Sequence, residues 1–330
     1  MPFATILAFD GCYATSVTAV VDVFHVANQL WLAENRDARP LFTWRVASAD
    51  GRGVTSSSGL QLAVDGGLPR TPSDIVFVPA IHYRGDAKLL RQVDAIAGGA
   101  GRWLRRQRDA GAWLTAGCSG VFVLGQLELL GRSRVTTSWW LAELFRRRHP
   151  EADLRVGELV LVDGKVMTAG PVNAHFNLAL RMVEEAAGRH LALQCAKVML
   201  VDANRSSQLP YVILQTQTGH ADDLVTRAEE WMQRHLRKDF AIEDVASAVG
   251  ASQRNLIRRF RKVHGVPPVA FLQELRIETA RHLLETTSLA LETIVERVGY
   301  RDTGSFRRLF RAHTSLSPRE YRQRFAKPAV

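Results

Sequence analysis

Cysteine is scarce in this chain of 330 residues: Cys12, Cys118 and Cys195 stand far apart. That excludes a disulfide framework or a multi-thiolate zinc site and suits a reducing compartment. No apolar run approaches the ~18 residues that a membrane span needs, so no membrane partner is expected. Met1–Asp10 lacks a basic n-region, and we expect no signal peptide and a cytoplasmic protein. Apolar residues are not in short supply, at 46% against 23% charged, which excludes global disorder. The length suggests two or three domains.

Acidic residues are outnumbered, 33 against 43 basic, for a net charge of +10. The excess is loaded at one end. Residues 1–220 carry +4 and residues 221–330 carry +6; from Arg254 onward 16 basic residues face 7 acidic. Such asymmetry points to a nucleic-acid partner or to an Arg-rich solvated face.

A tandem repeat separates these alternatives. Ala246-Ser-Ala-Val-Gly250 resembles Val295-Glu-Arg-Val-Gly299 at an offset of 49. Leu256–Arg261 parallels Phe306–Arg311 at an offset of 50, which then holds through Pro268/Pro318, Phe271/Tyr321 and Leu275/Phe325. Each copy reads as helix, tight turn, helix. Ile242, Val245, Ala246 and Val249 follow helical spacing up to Gly250, and Ser252 can cap the helix that buries Leu256 and Phe260. In the second copy Ile294, Val295 and Val298 lead to Gly299, Asp302 or Thr303 can cap, and Phe306 and Phe310 form the buried pair. Asp223 is expected to cap an earlier helix, and Val269–Thr286 reads as a long helix joining the copies. Arginines on both second helices, Arg254, Arg258 and Arg261, then Arg307, Arg308 and Arg311, suit the DNA major groove.

Residues 223–325 resemble an AraC-type DNA-binding domain. The second copy carries the more specific motif, Val298-Gly299-Tyr300-x-Asp302-x-x-Ser305-Phe306-x-Arg308-x-Phe310-Arg311, followed by Ser317-Pro318-x-x-Tyr321-Arg322. The usual glycine before Ser-Pro is replaced here by Ser315-Leu316. The resemblance implies base readout by the first turns of each second helix. Those positions are Arg254, Ile257 and Arg258, then Thr303, Arg307 and Arg308; Ile257 reads equally as a thymine-methyl contact or as core.

The N-terminal two-thirds alternates strand-like and helical segments: Thr5–Phe9, Val17–Leu32, Phe42–Ala47, Asp74–Val78, Arg102–Ala110, Trp113–Ala116, Val121–Leu130, a hairpin about Asp163-Gly164, Ala174–Ala187 and Leu191–Ala203. This pattern predicts an α/β domain with a flavodoxin-like, mostly parallel sheet and helices on both faces. Ligands of such sheets sit at the strand carboxyl ends, here Asp10–Ser16, Pro79–Arg84, Gly117–Gly120, Ser138–Trp140 and Thr168–His175. Ala116-Gly-Cys118-Ser-Gly120 reads as a nucleophile elbow, where a helix N-terminus lowers a thiol pKa.

Residues 3–200 resemble the PfpI-type branch of the class I glutamine amidotransferase-like superfamily. Its catalytic members carry an acidic residue after the first strand and often a histidine after the elbow helix. Ser16 and Ser138 occupy those positions here. Cys118 is therefore expected to be non-catalytic, with His82 and His175 on rim loops and no metal or cofactor. Both domains together resemble the GlxA-like AraC regulators, whose further marks include Glu128-Leu-Leu-Gly131, Thr168-Ala-Gly170 and Arg205-Ser-Ser-Gln208-Leu-Pro210-Tyr211. The resemblance implies a sensor of small nitrogenous metabolites.

The expected organisation is a sensing and dimerising α/β domain over 1–203, a linker over 204–222 and an all-α domain over 223–330 with two helix-turn-helix units. The expected function is sequence-specific transcription regulation, with activation implied by the family. Expected partners are double-stranded DNA, RNA polymerase, a small-molecule effector and a second copy of the chain. Expected effector contacts are Cys118, Ser119, Ser138, Trp139 and His175, with aromatic faces from Tyr13, Tyr83, Trp139 and Trp140. The alternatives are a cysteine-dependent amidotransferase or hydrolase fused to a DNA-binding domain, and a constitutive DNA binder with a purely structural α/β domain.

Overall fold

Short apolar runs become the strands of a six-stranded sheet: β1 (Phe3–Leu7), β2 (Thr43–Ala47), β5 (Ile75–Val78), β6 (Trp113–Gly117), β9 (Val160–Asp163) and β10 (Val166–Ala169). The computed structural model describes residues 2–35, 37–211, 222–238 and 240–326. The sheet order is β2-β1-β5-β6-β10-β9, parallel except for the edge strand β9. A short ribbon joins β3 (Val54–Thr55) to β4 (Gln61–Leu62), and β7 (Arg134–Val135) pairs with β8 (Asp153–Leu154).

The strand pleat divides the core into two layers, because alternate residues face opposite sides. Val76 and Val78 join the cluster under α2 (Asp86–Asp109) and α3 (Val121–Gln126). Ile75 and Phe77 join the cluster under α1 (Ala14–Glu34), α5 (Ala174–Ala187) and α6 (Arg189–Val198). A short helix α4 (Ala142–Arg148) follows the loop after β7 that begins at Thr136, and its Leu144 and Phe145 join the cluster under α2 and α3.

Helix α2 is much longer than the expected Arg102–Ala110. Three glycines in its latter half obscure the helical pattern. One has a packing reason: a Cβ on Gly101 would lie 2.7 Å from Leu127, so glycine lets α2 press against the end of α3. The β9–β10 hairpin forms as expected, but its two-residue turn is Gly164-Lys165, with Gly164 at φ +58°; Asp163 is the last paired residue of β9.

The chain divides into two compact units, Met1–Gln208 and Leu209–Val330. The division falls after Gln208, within the linker expected over 204–222. Residues 204–208 are tied to the first unit: Leu159 N–H donates to Ser206 C=O (2.8 Å) and Gln208 N–H to Gly157 C=O (3.1 Å). Residues 212–221 of that linker lie outside the described residues.

The second unit contains α7 (Asp223–Arg234), α8 (Ile242–Ala248), α9 (Gln253–His264), α10 (Pro268–Thr286), α11 (Leu291–Arg297), α12 (Thr303–Thr314) and α13 (Pro318–Phe325). It has two separate cores. Leu256 and Phe260 of α9 pack with Val245, Ala246 and Phe271 in one; Phe306 and Phe310 of α12 pack with Ile294, Val295 and Tyr321 in the other. Helix α10 serves both, giving Phe271, Leu272 and Leu275 to the first and Ile277, Ala280 and Leu284 to the second. Among the described residues no helix is long and apolar enough to cross a membrane.

Candidate DNA interface and candidate effector site

Each half of the second unit is a helix-turn-helix whose second helix is capped by a side chain. Ser252 Oγ accepts from Asn255 N–H (3.3 Å) at the start of α9, and an Asp302 carboxylate oxygen accepts from Ser305 N–H (2.6 Å) at the start of α12. The Asp302 carboxyl is held below its ordinary value, first by the Ser305 hydroxyl. The turns pass through Gly250 at φ +71° and Gly299 at φ +81°.

Burial of the apolar pairs fixes which face of each helix is free. Leu256 and Phe260, and Phe306 and Phe310, are fully buried, so residues on the far side project to solvent. Arg254, Arg258, Arg261 and Lys262 are exposed on α9; Arg307, Arg308 and Arg311 are exposed on α12. Two guanidiniums occupy matching places. Arg258 donates to Asn255 Oδ1 (3.0 Å) and Arg308 to Ser305 Oγ (2.8 Å), each one turn back on its own helix. Arg307 lies 3.9 Å from Glu292 on α11. Ile257 is half-buried but is absent from the core cluster around Phe260, and Thr303 is half-buried at the first turn of α12.

Two basic-face details differ from the expectation. Asp222, not Asp223, caps α7, accepting from Val225 N–H (3.3 Å). It also pairs with Arg259 at 2.8 Å, so Arg259 braces α9 against α7. Neither detail is written in helical periodicity, because adjacent Asp222 and Asp223 are chemically alike as caps.

In the first unit the elbow has the expected backbone. Strand β6 ends at Gly117, Cys118 follows at φ +52°, and a tight turn Cys118–Gly120 leads into α3. The expected electrostatics are overturned. Cys118 is 3% exposed, and burial pushes its thiol above the ordinary range despite the hydroxyl of Ser138, which donates to Sγ at 2.8 Å. Desolvation of a thiolate outweighs the few dipoles of one short turn.

Three of the remaining expected contacts are closed off. Ser119 is buried, accepting from Ile81 N–H (2.8 Å) and donating to Ile81 C=O (2.6 Å), so it pins the loop after β5. Ser138 is buried against Cys118. His175 is not on a rim loop. It is the second residue of α5, fully buried, with its ring in the space left by the missing side chain of Gly117, where a Cβ would lie 2.0 Å from Nε2. Neither ring nitrogen has a hydrogen-bond partner, and burial lowers its pKa to about 3. Ser16, also buried, accepts from Ala80 N–H (3.3 Å).

Four aromatic residues of the neighbouring loops are less buried. Trp139 and Trp140 are half-buried and meet edge to face at 5.3 Å. Tyr13 Oη and His82 Nδ1 are 3.0 Å apart. Burial raises the Tyr13 pKa, with a smaller contribution from Cys118 nearby. Tyr83 donates to Asp86 (2.8 Å). Of the expected contacts Trp139 is half-buried, while Cys118, Ser119 and Ser138 are buried. A residue missed by sequence reasoning as a contact is Gln208, buried, whose side chain bonds the loop carrying Trp139. Among the described residues no group of three His, Cys, Asp or Glu side chains is placed to hold a metal ion.

Known proteins match the chain in part and along most of its length. A family model described as a helix-turn-helix domain matches residues 245–324. The HTH-type transcriptional regulator CdhR of Pseudomonas aeruginosa is 29% identical over 87% of this chain and 84% of its own length. The HTH-type transcriptional activator RhaS of an Enterobacter species is 38% identical over 28% of this chain and 34% of its own. The crystal structure of Drosophila melanogaster DJ-1beta matches with a TM-score of 0.50 at 20% identity, covering 61% of this chain and 98% of that one.

Proposed function

We propose, for a chain that is a DNA-binding transcription regulator with an AraC-type helix-turn-helix domain and a DJ-1-like α/β fold, that it is a cytoplasmic, effector-responsive activator acting as a homodimer. The observation that carries the DNA reading is the pair of capped helices α9 and α12, each with one buried aromatic-containing face and one arginine face. Arg254, Ile257 and Arg258 on α9 and Thr303, Arg307 and Arg308 on α12 read base edges. Arg258 and Arg308, each tethered one turn back, present guanidinium forks suited to guanine O6 and N7. Lys262, Arg261 and Arg311 supply phosphate contacts.

Activation proceeds by contact with RNA polymerase; the name of the RhaS relative supports that sense. The effector is a small nitrogenous metabolite held at the carboxyl edge of the sheet, over Cys118, Ser119 and Ser138, with Trp139 at the rim. His175 supports the floor from below through Gly117 rather than touching the effector. Cys118 supplies shape, because its raised pKa leaves little thiolate at neutral pH.

Selection of bound sequences from a random DNA pool, followed by footprinting, tests the DNA reading. Two protected half-sites about one helical turn apart support it. A footprint spanning one half-site would overturn the two-helix readout. Thermal-shift screening of the full chain against amino acids and quaternary amines, repeated with Trp139→Ala, tests the effector site. A metabolite that stabilises both proteins equally would move the effector away from Trp139.

A further inference from the structure

The segment Arg205–Tyr211 stands out in the sequence, yet neither DNA readout nor the elbow uses it. Its centre is Gln208, the last residue of the first unit, with no solvent exposure. Its backbone N–H donates to Gly157 C=O (3.1 Å), and the preceding Ser207 Oγ donates to the same carbonyl (2.8 Å). Its amide then reaches across to the loop after β7. Nε2 donates to Thr137 C=O (2.8 Å), and Oε1 accepts from Trp139 N–H (3.1 Å). Longer contacts from Nε2 go to Thr136 Oγ1 and Glu158 C=O, both at 3.3 Å.

The two main bonds flank one residue, Ser138. A carboxamide bonded to the C=O of residue 137 and the N–H of residue 139 reads an extended backbone as a neighbouring strand would. Ser138 is extended, at φ −65° and ψ 138°. Its own hydroxyl goes the other way, to Cys118 Sγ (2.8 Å), while Thr137 Oγ1 donates to Cys118 C=O (2.8 Å). A single stretch of three residues therefore bonds the elbow with its side chains and Gln208 with its backbone. The residue after Gln208 begins the second unit, where Leu209 C=O accepts from Arg281 of α10 (2.7 Å).

We propose that Gln208 is a positioning residue that couples the 136–139 loop to the junction with the DNA-binding unit. Displacement of Ser138 moves the two backbone groups that the amide holds. Both bonds then lengthen together, and the segment bearing Gln208 is released from its seat along Gly157–Leu159. The chemistry is directional hydrogen bonding at a buried site, where a carboxamide that loses its partners is costly to leave unpaired. The physiological use of this coupling rests on the effector reading above.

The test uses the full chain without effector, so the two readings fail separately. Amide hydrogen exchange of peptides covering 205–211 and 136–141 is followed by mass spectrometry in four proteins: the parent, Ser138→Ala, Gln208→Met and the double variant. Gln208→Met keeps volume and removes both amide bonds. Expected is at least a tenfold faster exchange at 205–211 in Ser138→Ala than in the parent. In the Gln208→Met background the same change at Ser138 should add less than twofold. Equal acceleration in both backgrounds, or none in either, overturns the coupling, since a merely structural glutamine gives additive effects. If Gln208→Met does not fold by circular dichroism, Gln208→Leu serves: it also lacks both amide bonds, and an increment equal to the parent's overturns the proposal. Failure of every metabolite to stabilise the full chain would sink the effector reading and leave the exchange result standing.

Discussion

Ser138 Oγ donates to Cys118 Sγ at 2.8 Å, and both side chains are closed to solvent. The partner of the elbow thiol is thus a hydroxyl, which cannot take up the thiol proton as an imidazole would. Among the described residues no carboxylate or imidazole hydrogen-bonds this thiol. The expected outcome is an absence of glutaminase, peptidase or glyoxalase turnover, with Cys118→Ser leaving DNA affinity unchanged. Alkylation of Cys118 by iodoacetamide, followed by peptide mass, should be far slower in the native chain than in urea. A turnover abolished by Cys118→Ser would refute this reading.

Arg258→Ala and Arg308→Ala should each cost about 1–3 kcal/mol at a selected site, with the loss concentrated on one base pair. Gel-shift titration against single-base variants of that site measures it. Equal weakening on selected and random DNA would reassign both residues to phosphate contacts.

His175 is buried neutral, its pKa lowered by desolvation from 6.5 to about 3. Between those values the unfolded chain binds a proton that the folded chain does not. The stability tied to His175 is therefore full above pH 6.5 and is lost as pH falls toward 3. Urea unfolding of the full chain at pH 7 and pH 5 should show this loss. In His175→Leu the pH-dependent difference should shrink by about 2 kcal/mol, the linkage value for one such group. His149, lowered to about 4 by burial, should leave a residual dependence. A pH dependence unchanged by the substitution would refute the assignment.

The first and second repeats end their second helices differently. Gly265 sits in the left-handed region at φ +73°, and its repeat counterpart Ser315 does so at φ +59°. A side chain there costs about 1 kcal/mol that glycine avoids. Ser315→Gly should raise, and Gly265→Ala should lower, the thermal stability of the full chain by up to about 1 kcal/mol. Opposite signs would show that local contacts outweigh the backbone preference.

Much of this architecture is legible because periodicity and capping are local. The β9–β10 hairpin, the Ser252 cap, the Phe306/Phe310 pair and α5 from Ala174 to Ala187 all rest on residues within one or two turns of each other. The start of α2 was hidden because glycines serving tertiary contact resemble helix breakers. The position of His175 is hidden from the sequence for a related reason. An imidazole beside a loop reads as a contact, and only the pairing of Gly117 with a distant helix shows it as filling. Burial of the elbow was likewise invisible, since Cys118 needs Ser138 twenty residues away to define its surroundings. Arg259 illustrates the limit on the DNA side: one arginine in a basic run pairs with Asp222, thirty-seven residues earlier, and is braced by it.

Helix α10, shared by two separate cores, makes the DNA-binding unit a gauge with a fixed pitch. Its 19 residues span about 28 Å at ~1.5 Å per residue. Its near half belongs to α9's core and its far half to α12's. The angle between the two reading heads is therefore written in helix phase. One alanine inserted between Leu275 and Ile277 would rotate the second head by ~100° relative to the first. Each head would keep its own core and its own base preference, but no straight duplex would present both half-sites at once. Affinity for an isolated half-site would survive while the composite site would be lost. An insertion of about two turns, near seven residues, would restore the helix phase but move the heads apart by ~10 Å, about three base pairs, over which the major groove turns by ~100°.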